Sequence, residues 1–232
     1  MARIKRTYGE TVSMTTTAQH LAAPQGYHEI KHYASSSYRL GLAPSLEKVF
    51  VYTASGTTYT DYTDNARDGD SSTHVPLDGM TTSDILYMGF SDLPRGVYFD
   101  IGSNAQDEAA TLDVEYWDGS AWADVSGDSD GTDSGGDTLK QDGLYSWTLP
   151  TDGEEYKVNS VSGLYWIRIK PSTSLSATVD IDEIIPACSD TNYGYFEGGV
   201  EYHYPYDTNR VGAIETDMAA GSATLNITWV RT

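Results

Sequence analysis

The stretch TLDVEYWDGSAW (Thr111–Trp122) decides how the rest of the chain is read. Leu112, Val114 and Tyr116 alternate with Asp113 and Glu115, the period of two that turns one face of a strand to a core and the other to water. Asp118-Gly-Ser120 then supplies the turn chemistry that reverses a chain, with Trp117 and Trp122 bracketing it. Working outward, similar short runs dense in β-branched and aromatic residues recur: KVFVY (48–52), DILYMGF (84–90), GVYFDI (96–101), LYSWTL (144–149), LYWIRIK (164–170) and ATVDIDEII (177–185). In the last of these Val179, Ile181 and Glu183 oppose Asp180 and Asp182. Gly, Asp, Ser and Pro clusters separate the runs, as hairpin connections require.

No window shows apolar residues at i, i+3, i+4 and i+7, so helix content is expected to be very low. Strands at intervals of about 10–20 residues without helices between them predict an antiparallel body rather than an α/β fold. The expected class is all-β: a β-sandwich or jelly-roll-like body over residues 45–186, an extended N-terminal arm over 1–44, and a β-rich C-terminal extension over 187–232. The arm shows no clear period and holds one strand candidate near Tyr27–Tyr33. The extension holds two, YFEGGVEYHY (195–204) and ATLNITWV (223–230), which are expected to pack on the body or on a neighbouring subunit. Gly127–Asp137 is low in complexity and reads as an exposed loop.

Composition excludes several roles. The 232 residues carry 14 Lys and Arg against 34 Asp and Glu, a net charge of −20, which argues against nucleic acid or an anionic membrane as partner. The charge is uneven, net +3 over residues 1–48 and −23 over the remainder, a basic arm on an acidic body. A single cysteine, Cys188, excludes an intrachain disulfide framework. No apolar run approaches a membrane span, and the N-terminus MARIKRTYGE lacks the apolar stretch of a secretory signal, so secretion by that route is not expected. The sequon Asn226-Ile-Thr228 is accordingly read as fortuitous.

His28-Glu29-Ile30-Lys31-His32 matches H-E-x-x-H, in which a helix sets two imidazoles on one face for zinc. Here Pro24 and Gly26 on one side and Ser35–Ser37 on the other predict strand or arm, so no zinc is expected. Asp128, Asp130, Asp133 and Asp137, and likewise Asp61, Asp64, Asp68 and Asp70, lack the spacing of a calcium loop and read as solvated turns. There is no nucleophile elbow, Walker A loop or dinucleotide fingerprint, and carboxylate pairs such as Glu154 and Glu155 are expected by chance in so acidic a chain. No catalytic residue and no cofactor are expected. Trp117, Trp122, Tyr165 and Trp166 are expected to fill the sandwich core and its ends. A glycan-stacking platform is the other reading, and joint exposure of Trp117, Trp122 and Trp166 distinguishes the two.

YWDGSAW, the Asp130-Gly-Thr132 loop, LKQDGLYSWTLP and GLYWIRIKPSTSLSATVDIDEI together resemble a recurrent β-rich segment of tailed-bacteriophage virion structural proteins, and LYMGFSDLPRGVYFDIGS resembles its lead-in strand pair. The resemblance spans roughly residues 84–186. It implies a head decoration, tail, baseplate or fibre component without catalytic residues, made in the host cytoplasm and carried on the virion. Combined with the basic arm, it leads to the expectation of a capsid decoration (cement) protein on the outside of the head, bound to the major capsid protein and to copies of itself, as a trimer or other small oligomer. The alternatives are a carbohydrate-binding module of a tail fibre or host-recognition device, with a glycan as partner, and a tail or connector structural protein. The arm residues expected at the interface are Arg3, Lys5, Arg6, Tyr8, Tyr27, His28, Tyr33, Tyr38 and Arg39.

Overall fold

The structure, a computed structural model, describes residues 6–15, 19–22, 29–188, 194–205, 213–218 and 220–231. The chain is all-β and divides into two compact units, one built from residues 46–186 and the other from residues 1–45 together with 187–232. Among the described residues the only helix is one short turn, α1 (Asn65–Asp68).

The N-terminal strands are β1 (Arg6–Met14), β2 (Gln19–Ala22), β3 (Glu29–Ala34) and β4 (Tyr38–Ala43); those of the C-terminal segment are β17 (Gly194–Phe196), β18 (Glu201–Pro205), β19 (Ala213–Asp217) and β20 (Ala223–Arg231). They form two four-stranded sheets, in the orders β1-β20-β3-β18 and β17-β4-β19-β2. Every ladder joins a strand of one chain end to a strand of the other, and even the nearest partners, Leu40 and Gly194, are 154 residues apart. Between the sheets lies a core of its own that includes Met14, Ile30, Tyr38, Phe196, Ile214, Leu225, Ile227 and Trp229. The expected arm and extension are therefore replaced by one interleaved unit. Alternation along β1 and β3 is present, with Val12 and Met14, then Ile30 and His32, turned inward, but it has no neighbour in sequence to pair with.

The body contains β5 (Leu46–Thr53), β6 (Thr58–Asp61), β7 (Val75–Pro76), β8 (Ile85–Phe90), β9 (Gly96–Ile101), β10 (Leu112–Trp117), β11 (Trp122–Asp124), β12 (Ser126–Asp130), β13 (Gly143–Thr148), β14 (Glu155–Val158), β15 (Val161–Pro171) and β16 (Asp180–Pro186). One sheet runs β11-β10-β15-β8-β5-β6, with β14 also on β15; the other runs β12-β13-β9-β16-β7. All pairings are antiparallel, and the two sheets share a core drawn from both. Leu86, Met88, Phe90, Val114, Ile167 and Ile169 come from the first, Val97, Phe99, Trp147, Ile181 and Ile184 from the second. This is a sandwich-like body, with the hairpin of β10 and β11 pairing Trp117 with Trp122 around the expected turn. Two details differ from the sequence reading. Ser126–Asp130, which overlaps the first part of the expected loop, is strand β12 on the edge of the second sheet. In β16 a register shift between Ile181 and Glu183 breaks the simple alternation, so that Ile181 and Ile184 both reach the core.

Candidate functional site: an aromatic sheet face

A strand with a period of two buries one face, and the seven-stranded sheet is unusual in being apolar on both. On β15, Ile167 and Ile169 turn into the sandwich, while Leu164, Trp166, Arg168 and Lys170 rise on the opposite side. The same outer face receives Phe50 and Tyr52 from β5, Tyr59 from β6, Tyr87 from β8, Glu115 and Trp117 from β10, Trp122 from β11 and Tyr156 from β14. Phe50, Tyr87, Val158 and Trp166 form a small second core there, and every residue packed against it belongs to this sheet. Gly89 makes room for it: its cross-strand partner is Trp166, and a Cβ at Gly89 would stand 2.9 Å from Leu164 and 3.0 Å from the Trp166 ring. The indole therefore lies close over the backbone of β8, fully buried, donating its Nε1–H to the Tyr156 carbonyl oxygen at 3.0 Å.

Around this floor the remaining rings form a continuous rim. Tyr52 and Tyr59 are 4.7 Å apart between centroids, Tyr59 and Tyr87 6.0 Å, Tyr87 and Trp122 5.8 Å. Trp122 stands edge-on to both Trp117 and Tyr156, which stack on each other at 4.0 Å. Tyr59 and Tyr156 are the most open, 37% and 36% exposed, with Tyr52, Trp117 and Trp122 half-buried.

A polar line crosses the same face. The Tyr59 and Tyr87 rings lie 6.0 Å apart, the Tyr87 hydroxyl faces Arg168, and Arg168 donates to both oxygens of Glu115, from Nε at 2.7 Å and from Nη2 at 2.8 Å. Lys170 reaches the same carboxylate at 2.8 Å, and the Arg168 guanidinium sits 4.5 Å from the centre of the Trp122 ring. Burial works against ionisation of Glu115, but the hydrogen bonds and charges of Arg168 and Lys170 outweigh it and hold the carboxyl below its usual range. Burial pushes the Tyr59 and Tyr87 hydroxyls above the usual phenol value, so both stay protonated as donors. Lys48, at the edge of the face, is tied to Asp61 at 2.8 Å.

The residues singled out in the sequence scatter. Arg3, Lys5, Tyr27 and His28 lie outside the described residues, and Arg6 and Tyr8 are placed only as backbone partners of Arg231 and Trp229. Tyr38 is not at a surface: it is fully buried in the core of the interleaved unit. Arg39 pairs with Asp217, Nε to Oδ1 at 2.7 Å, which fastens β4 to β19. Tyr33, at 38%, and Arg39, whose side chain is 48% exposed, are the exposed side chains among the described ones of this set. The described part of H-E-x-x-H is strand β3, where Ile30 and His32 share the buried face; His32 Nδ1 is 2.5 Å from the Tyr38 hydroxyl and the ring stacks on Tyr202.

The acidic loops use their carboxylates locally. Asp130 accepts from Thr132 and Thr138, Asp128 from Tyr145, Asp70 from Ser72 and Asp61 from Thr63. Among the described residues no group of three or more His, Cys, Asp or Glu side chains is placed to hold a metal ion. Of the tryptophans proposed as a joint platform, Trp117 and Trp122 are partly open and Trp166 lies beneath them. Tyr52, Tyr59, Tyr87 and Tyr156 were not singled out. Each is one tyrosine in a separate run, and only strand pairing gathers them; the available signal was aromatic residues at the outward positions of KVFVY and LYWIRIK.

No protein-family model, no curated protein and no solved structure matches this chain.

Proposed function

We propose that this chain is a non-enzymatic structural protein of a tailed-phage particle, a decoration (cement) protein on the outside of the head, held by the major capsid protein and by other copies of itself. The observation that supports this reading is the architecture: both chain ends are consumed in one β unit, and a second sandwich is inserted between β4 and β17. Such an arrangement suits a fixed base and a displayed module, and the net charge of −20 keeps the free protein soluble and away from packaged nucleic acid. Attachment belongs in this reading to the interleaved unit as a whole, since its N-terminal strands already have partners. The test is co-sedimentation of the purified chain with undecorated heads of the parent phage, with cryo-electron microscopy of the decorated particle. Saturable binding at a fixed number of copies per capsomer supports the reading; recovery only in tails, or no binding, refutes it.

The carbohydrate-binding alternative is favoured by one specific observation, the partly open aromatic rim on the body.

A further inference from the structure

We propose that the outer face of the seven-stranded sheet is a binding site for a neutral oligosaccharide or polysaccharide, with Trp117, Tyr156, Tyr52 and Tyr59 as stacking surfaces, the tyrosine hydroxyls as hydrogen-bonding groups at its edge, and the Arg168–Glu115 pair as the polar support beneath. This goes beyond the decoration reading and stands or falls separately from it.

Four features select this occupant. The first is chemical. A sugar ring has an apolar C–H face, which an aromatic π-face attracts, and a rim of hydroxyls that need hydrogen-bond partners. The rings here border phenol, guanidinium and carboxylate groups within one face. The second is extent. From Tyr59 the rings step 6.0 Å to Tyr87, 5.8 Å on to Trp122 and 5.7 Å on to Tyr156 between centroids, a path longer than one sugar ring. A track of that length fits a chain of linked sugars rather than a single one.

The third is area. Five partly open rings of about 150–250 Å² each, the most open exposed by about a third, offer at most about 400 Å². A standard protein interface needs about 800 Å² per partner, so a second folded protein or a second copy is poorly served by this face alone. The fourth is charge. Lys48, Arg168 and Lys170, three cations of this face, are each bound to a carboxylate of the same face, Asp61 or Glu115. An acidic glycan would find no uncommitted cation among them and would meet the field of an acidic body.

The geometry also divides the labour among residues. Trp166 and Phe50 are floor, stacked on each other at 5.9 Å, and do not touch ligand. Tyr156 and Tyr59 are the most exposed rings of the track, so their removal disturbs the second core least.

The experiment uses the full chain and a panel of neutral gluco-, manno-, galacto- and N-acetylglucosamine oligosaccharides of two to six units, with sulfated and uronic-acid oligosaccharides as the charged arm. Tryptophan fluorescence and isothermal calorimetry follow each titration. The expected result is saturable binding of at least one neutral series, tightening with chain length. Tyr156→Ala and Tyr59→Ala should each weaken it tenfold or more while the cooperative thermal transition and the β circular dichroism are retained. Tyr195→Ala, an exposed tyrosine of the other unit, should leave it unchanged. Three results each overturn the proposal: no response to any neutral series, undiminished binding in both face variants, or charged oligosaccharides binding more tightly than neutral ones. Conversion of an oligomer to monomers by Tyr156→Ala in sedimentation velocity would reassign the face to contacts between copies and also overturn it.

Discussion

Lowering the pH from 7 to 5 should loosen the interleaved unit through His32. Its imidazole is 1% exposed, edge-on to Phe196 and Tyr38, and stacked on Tyr202, and this burial draws its pKa from 6.5 down to about 4. The unfolded chain therefore binds a proton at a pH where the folded one does not. Stability from this residue is complete above pH 6.5, falls as the pH drops, and is fully lost below about 4. At about 1.36 kcal/mol per pKa unit the whole effect is about 3 kcal/mol, of which about 2 kcal/mol is gone by pH 5. A domain with only about 5–15 kcal/mol of stability feels a loss of that size. Native-state hydrogen exchange reads the two units separately, and amides of β3 and β20 should lose about 2 kcal/mol of protection between pH 7 and pH 5. His32→Phe keeps a ring but removes the titration. It should start less stable at pH 7 and show little further loss. An imidazole seen by NMR to titrate near 6.5 in the folded protein, or an equal loss of protection in His32→Phe, would refute the reasoning.

Other expectations follow from the cores and ladders. Trp166→Ala and Trp147→Ala, both buried, should each cost about 3–5 kcal/mol or prevent folding, whereas Trp122→Ala, half-buried beside a turn, should be milder in thermal melts. Equal melting temperatures for Trp166→Ala and the unaltered protein would sink the second-core assignment. Residues 46–186 expressed alone should fold into a cooperative β body by circular dichroism, while deletion of residues 1–44 should aggregate, because it strips partners from β18, β19 and β20; a soluble, well-dispersed NMR spectrum for that deletion would contradict the interleaved sheets. Chelation with EDTA should leave the melting curve in place, and stoichiometric calcium or zinc by elemental analysis with a fall of several degrees would overturn that expectation.

What could be read in advance tracks how local the pairing is. The β10–β11 hairpin was legible because its register is set by a turn within the same dozen residues, and KVFVY, GVYFDI and LYWIRIK became β5, β9 and β15 because each run is strand-like on its own. The chain ends were misread for the opposite reason: the alternation of Val12 and Met14 acquires meaning only opposite Leu225 and Ala223, more than 200 residues away. The aromatic face was half legible. Trp117, Trp122 and Trp166 stood out as tryptophans, but the depth that separates Trp166 from the other two depends on Gly89 of a neighbouring strand.

The alternation of N-terminal and C-terminal strands also fixes an order of events on the ribosome. At about 5–20 residues per second, Leu40 emerges about 8–30 s before its partner Gly194, and for that interval β1 to β4 have no ladder to join. The inserted body, whose strands pair among themselves, is free to fold first and brings the two ends of its own insertion back to the waiting segment. Until the C-terminal strands emerge, the four N-terminal strands stand unpaired, and on a polysome crowded with nascent copies the C-terminal strands of one chain can close on the N-terminal strands of another. Exchanged dimers are thus the characteristic misassembly of this topology, and slow synthesis widens the window for them.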